Sequence, residues 1–305
     1  MDLATVAVRF ALYVDLATLF GLPLFGLYAL RRDEVSSRIA TSFVAICAAL
    51  GAIGVLISLA NIAVMAKAMT GASAYTELQS HVFEMIVTGT DFGAAWAVRL
   101  VALFLCVAIA LFGRRWPKLQ FAILSAAGGV ALSTLAWGGH GAMDDGVRRY
   151  VHLASDIAHL IAAGAWVGAL IAFVLLSRMW GAPGNVAVLS RTSNGFAQIG
   201  TLVVVTLTIT GAVNYGLIVG PEWPVLSLAS YGGLLAIKLA LFGAMLVLAA
   251  ANRFHLSPRL ERAMRSGDHA GAVRSLRRSL MMETSAAALI LALVASLGIL
   301  SPVGA

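Results

Sequence analysis

Half of the six histidines in this 305-residue chain bear on one short region. The stretch GGHGAMDDGVRRYVHLASDIAHLIAAGAWVG, residues 138–168, holds His140, His152 and His159, with Asp156 between the last two. His140 ends one apolar run; the others open the next, so His140 can approach His152 across the turn. At about 100° per residue, helical positions 152, 156 and 159 share a face, and His159 lies about 10 Å further along the axis than His152. Imidazole suits copper, zinc, iron and nickel, and a thioether selects Cu(I). With Met143 in the turn, the set fits copper better than a hard cation. Asp156 would either ligate the metal or hold a histidine in one tautomer. The same groups could instead serve as hydrogen bonds between helices, but ionisable side chains at membrane depth are costly and mark function by default.

Other candidates are more scattered. His81 and Met85 are four apart, with Glu84 beside them, and so are Met65 and Met69; thioether pairs of this kind could capture Cu(I), and methionine also fills apolar gaps. Cys47 and Cys106 fall at matching depth in neighbouring apolar runs and would form an inner Cu(I) site if their helices touch; otherwise they are small buried hydrophobes. Arg99 and Lys238 are cations inside apolar runs and Asp15 is an acid in another; Asp15 either pairs with one of them, which reduces the desolvation cost, or these groups serve transport. Asn214 is placed to bond between helices. Glu283, near many arginines, is predicted to form a salt bridge. Trp137 and Trp166 are aromatic candidates for lining a pocket.

The elements that must position these groups are membrane helices. The chain is 60% hydrophobic and 11% charged. Apolar runs of about 20 residues, the length that crosses roughly 30 Å of hydrocarbon, recur eight times, at 3–30, 39–66, 92–113, 118–139, 151–177, 194–219, 230–252 and 280–300. Backbone polar groups find no water in lipid, so each run must be helical. The first lacks a basic leader and a cleavage site, and is read as a retained helix. Leu78, Val82, Met85 and Ile86 recur at helical spacing and predict a short surface helix within 67–90; residues 257–278 predict a basic one.

The net charge of +7 is not a nucleic-acid signature, because its distribution is one-sided. The turns after the first, third, fifth and seventh runs carry Arg31, Arg32, Arg38, Arg114, Arg115, Lys118, Arg178, Arg191 and the arginines between 253 and 278; the opposite turns carry Lys67, Arg148 and Arg149. This positive-inside bias puts both termini on the periplasmic side of a bacterial inner membrane and the basic segment against its anionic inner leaflet. The chain also reads as a parallel repeat with halves 1–145 and 146–305 in a single membrane domain. FGAAWAVRL at 92–100 aligns with YGGLLAIKL at 231–239, and laying the first run on the fifth sets Arg9 opposite Asp156, Leu12 opposite His159 and Gly21 opposite Gly168. The histidine chemistry thus belongs to the second half. No phosphate loop, nucleophile elbow or HExxH pattern is present, so the chain is not expected to be an enzyme.

Four groups of residues carry a family likeness: TDFGAAWAVRL at 90–100, WGGHGA at 137–142, DIAHLIAAGAWVGAL at 156–170, and ITGAVNYG with SYGGLLAIKLALFGAMLVLAAANR at 209–216 and 230–253. In these the chain resembles the bacterial copper resistance protein D family. The resemblance implies copper movement across the inner membrane, generally inward, a separate periplasmic copper-binding partner of the CopC type, and His140 and His159 as the leading ligands. Two alternatives stay open: a haem b protein of an electron-transfer chain, since histidine is a common axial ligand, and a copper-binding sensor or assembly subunit that does not transport.

Overall fold

The computed structural model describes residues 3–179, 183–220, 227, 230–266 and 269–300, without the side chains of His140 and Pro183. The described residues contain helices and no strand: α1 Leu3–Ala29, α2 Arg38–Thr70, α3 Ser80–Gly89, α4 Asp91–Phe112, α5 Pro117–Ser133, α6 Gly146–Arg178, α7 Pro183–Ile218, α8 Tyr231–Ala251, α9 Ser257–Ser266 and α10 Ala270–Leu297. Among them are eight helices long and apolar enough to cross a bilayer, which makes this a polytopic all-α membrane protein.

Local chemistry sets many of the breaks. Ser37 caps α2 by accepting the Ala40 amide, and α2 ends at Gly71, whose φ of 67° only glycine adopts readily. Thr90 and Ser230 cap α4 and α8 through the amides of Gly93 and Gly233. Pro117 opens α5, where its missing amide costs nothing. Three spans start well before their apolar runs. α6 starts at Gly146, α7 at Pro183 and α10 at Ala270 rather than at 151, 194 and 280, because hydropathy marks the lipid-embedded stretch while helical hydrogen bonding continues beyond it. The basic segment 257–278 is accordingly not one surface helix: α9 ends at Ser266, and Arg274, Arg277 and Arg278 lie in the opening turns of α10. The surface helix expected within 67–90 is α3, which packs Val82 and Ile86 on Ile62 and Ala66. Met85 is turned away from that contact, and is exposed.

α1 is the most enclosed span among the described residues and α8 the least. α1 lies against α2, α5, α6 and α10. Its crossing with α6 is a backbone-to-backbone contact: a Cβ on Gly21 would come 2.8 Å from the Gly168 Cα, and one on Gly168 would fall within the Gly21 backbone. These two glycines are the positions equated by aligning the first run on the fifth, and equivalent positions meet in this way at a two-fold axis. Contacts in the two halves correspond, α1 with α2 as α6 with α7, and α4 with α5 as α8 with α10. One pair departs from this. α2 packs along α4, whereas α7 and α8 barely touch among the described residues. The second half is therefore open on the flank of α6, the helix that carries the histidines.

Candidate functional site

Each histidine described on α6 is held through the same ring nitrogen. His152 is 1% exposed. Its Nδ1 lies 2.7 Å from Asp144 Oδ2, and Asp144 is steadied by Arg148 Nε at 3.4 Å from its other oxygen. An ionised carboxylate can only accept, so Nδ1 donates, and a ring with its proton on Nδ1 has its lone pair on Nε2. That Nε2 is buried without a hydrogen-bond partner, 3.9 Å from Asp156 Oδ2. Two turns deeper, His159 Nδ1 lies 2.9 Å from the Thr210 hydroxyl on α7. The hydroxyl gives its own proton to the Thr206 carbonyl at 2.6 Å, so it must accept from His159. His159 thus also presents Nε2 as its free donor atom. Fixing one imidazole nitrogen so that the other is offered is how proteins prepare histidine for a metal.

Oxygen atoms complete the stripe. Asp156, between the histidines, accepts from Asn214 Nδ2 at 2.7 Å, which makes Asn214 the interhelical bond expected of it. The remaining Asn214 oxygen is buried without a partner. Lys238 on α8 is within electrostatic reach of Asp156 and His159. Over this end sits the 3-10 turn His140–Met143. It can approach because residue 141 is glycine: a Cβ there would lie 3.0 Å from His152 Cγ and 3.1 Å from Asp156 Oδ2. The backbone thus places His140 at the mouth; its side chain lies outside the described residues. Met143, in the same turn, is exposed. Among the described residues no three His, Cys, Asp or Glu side chains converge closely enough to enclose a metal ion.

The other candidates lie elsewhere. His81, Glu84 and Met85 are exposed on α3 and make no hydrogen bond or ion pair with the α6 stripe among the described contacts. Cys47 and Cys106 are both fully buried on α2 and α4, which pack together, and lie within electrostatic reach of one another. Two expected ion pairs do not form. Asp15 pairs with neither cation: it turns to Gly54, and both its oxygens lack a hydrogen-bond partner. Arg99 is bound by neutral groups, Thr134 Oγ1 at 2.8 Å and Asn61 Oδ1 at 3.5 Å. Glu283 forms no ion pair with an arginine among the described residues. Instead it accepts from Trp166 Nε1 and Asn252 Nδ2, each at 2.9 Å. Trp166 also stands edge-on to Phe242. Glu283 and Trp166 border a cavity of about 270 Å³ at the arginine-rich end, between α6, α7, α8 and α10.

Asp144, Thr210 and Gly141 were not predicted as site residues. Asp144 lies before α6 begins, so helical spacing does not relate it to His152, and Thr210 is 51 residues from its partner.

Fold and site together define a polytopic helical membrane protein with His152, Asp156 and His159 along one helix. Comparison with known proteins gives the family. Residues 1–150 match the family model "Copper resistance protein D-like, N-terminal domain", and residues 190–297 match "Copper resistance protein D". The chain is 48% identical over 307 residues to Copper resistance protein D of Pseudomonas syringae pv. tomato, covering 99% of this chain and 97% of that one. It is 27% identical over 260 residues to Inner membrane protein YebZ of Escherichia coli (strain K12), covering 84% and 85% of the two chains. No solved structure matches. The chain belongs to the copper resistance protein D family.

Proposed function

We propose that this protein carries copper across the bacterial inner membrane, taking it up at the periplasmic histidine end. The observation that carries the reading is the shared anchoring of His152 and His159 through Nδ1, which leaves two Nε2 donors in line along one face of α6. Copper is the cargo. His152, Asp156 and the turn bearing His140 and Met143 form its first contact, and His159 the next, about 10 Å deeper. Trp166 continues the same face two turns beyond, and leads to the cavity beside Glu283. The splayed α7 and α8 leave this face free to change its neighbours during transfer. Inward direction is supported by the family likeness, and the charge bias sets the arginine-rich turns inside and the histidine end outside. A periplasmic copper-binding protein of the CopC type would deliver the ion, with exposed His81 and Met85 available to assist capture. Cys47 and Cys106 would offer Cu(I) a thiolate stop in the first half. The chain acts as a carrier and not as an enzyme.

The first test is the purified protein. Stoichiometric copper, without a Soret band and lost in His159→Ala, is the expected result. A Soret band that disappears in the same variant would replace copper with haem b.

A further inference from the structure

A second polar cluster occupies the first half, and its charge is opposite. Arg9 and Tyr13 of α1, Asn61 of α2 and Arg99 of α4 border a cavity of about 70 Å³ together with Met65 and Gly138. A water needs about 10–15 Å³ of such space, so a small ion with a water or two fits. Arg99 is 1% exposed. Arg9 donates to the Gly138 carbonyl at 2.9 Å and to the Tyr13 hydroxyl at 3.4 Å, and its Nε is buried without a partner. Every acceptor described for these two guanidiniums is neutral, and no ion pair to either is formed among the described residues. Enclosing Arg99 and half-burying Arg9 without a counter-charge is expensive, and the penalty is relieved by an anion that meets the open N–H groups. Tyr13, which accepts from Arg9, keeps its own hydroxyl proton to donate.

The internal alignment sharpens the contrast. It sets Arg9 opposite Asp156 and Arg99 opposite Lys238. The second half therefore has an acid and a base beside a histidine, where the first has two arginines. What suits a cation in one half suits an anion in the other.

We propose that this cavity binds a small monovalent anion, of the size of chloride or formate, between Arg9 and Arg99. It adjoins the histidine end, because the Gly138 carbonyl that Arg9 holds lies two residues before the turn carrying His140. The proposal does not depend on the transport reading.

The test is equilibrium dialysis of the full-length protein in detergent, in gluconate buffer of fixed ionic strength, with radiolabelled chloride and, separately, formate. Saturable binding of either anion is expected; which of them binds tells a halide site from a carboxylate site. Arg9→Gln and Arg99→Gln should each weaken it about tenfold or more, as loss of a charged hydrogen-bond donor does. Arg9→Lys should retain part of the affinity. Arg9 is the less enclosed of the two, so Arg9→Gln decides the matter if Arg99→Gln does not fold. Absence of saturable binding of both anions to the unaltered protein, or binding unchanged in Arg9→Gln, overturns the proposal and leaves the cavity to water.

Discussion

Thr210→Val tests the anchoring of His159 while leaving the ligand in place. Valine keeps the branched shape of threonine and removes one oxygen, the acceptor 2.9 Å from His159 Nδ1. The Thr206 carbonyl loses a side-chain donor at 2.6 Å but keeps its helical amide. The cost to folding is thus that of one hydrogen bond, about 0.5–1.5 kcal/mol. The cost to the metal is larger, because an unpinned imidazole rotates and can offer the wrong nitrogen; loss of such a supporting group typically lowers metal affinity about 10- to 100-fold. We expect copper affinity, measured on purified protein by competition with a chromophoric chelator, to fall about tenfold in Thr210→Val and to stay near the unaltered value in Thr210→Ser. Thr210→Val added to His159→Ala should cost nothing further, because both act through one ring. Unchanged affinity in Thr210→Val, alongside loss in His159→Ala, would refute the claim that the hydroxyl sets the donor atom.

Gly168→Val should destabilise the fold by about 3 kcal/mol or more, since its side chain has only the Gly21 backbone to enter. Gly243→Val, where nothing lies within 4 Å, should melt like the unaltered protein in detergent. Gly141→Ala places a methyl group 3.0 Å from His152 Cγ, so it should lift the turn and weaken the outer copper step several-fold in the same titration; unchanged binding would show that the turn does not close the mouth. Asp144→Ala, which frees His152 Nδ1, should weaken the outer step about tenfold and leave binding at His159 intact.

What could be read from the sequence follows from what periodicity encodes. Apolar runs located all eight spans because lipid imposes one rule on each residue they contain. Spacing put His152, Asp156 and His159 on one face because those residues share a helix. Pairings across helices were another matter. Asp15 and Arg99 both sit in apolar runs, yet the azimuth of each helix, set by packing such as Gly21 on Gly168, turns Asp15 to Gly54 and Arg99 to Thr134. Glu283 follows the arginines in sequence but faces Trp166, because a few residues along a helix separate its solvated side from its buried one. Thr210 carries no signal of its own: threonines are common in this helix, and only the tertiary contact singles out one. The separation of α7 from α8 was equally hidden, since the alignment of the halves predicts the contact that α2 and α4 make.

The central claim is movement of copper along the α6 histidines, and uptake into proteoliposomes tests it most directly. Purified protein reconstituted with the chelator trapped inside should accumulate copper at a rate that falls to the protein-free background in His159→Ala and is reduced in His152→Ala, with both variants folded by size-exclusion chromatography. Uptake by His159→Ala equal to that of the unaltered protein would contradict the account.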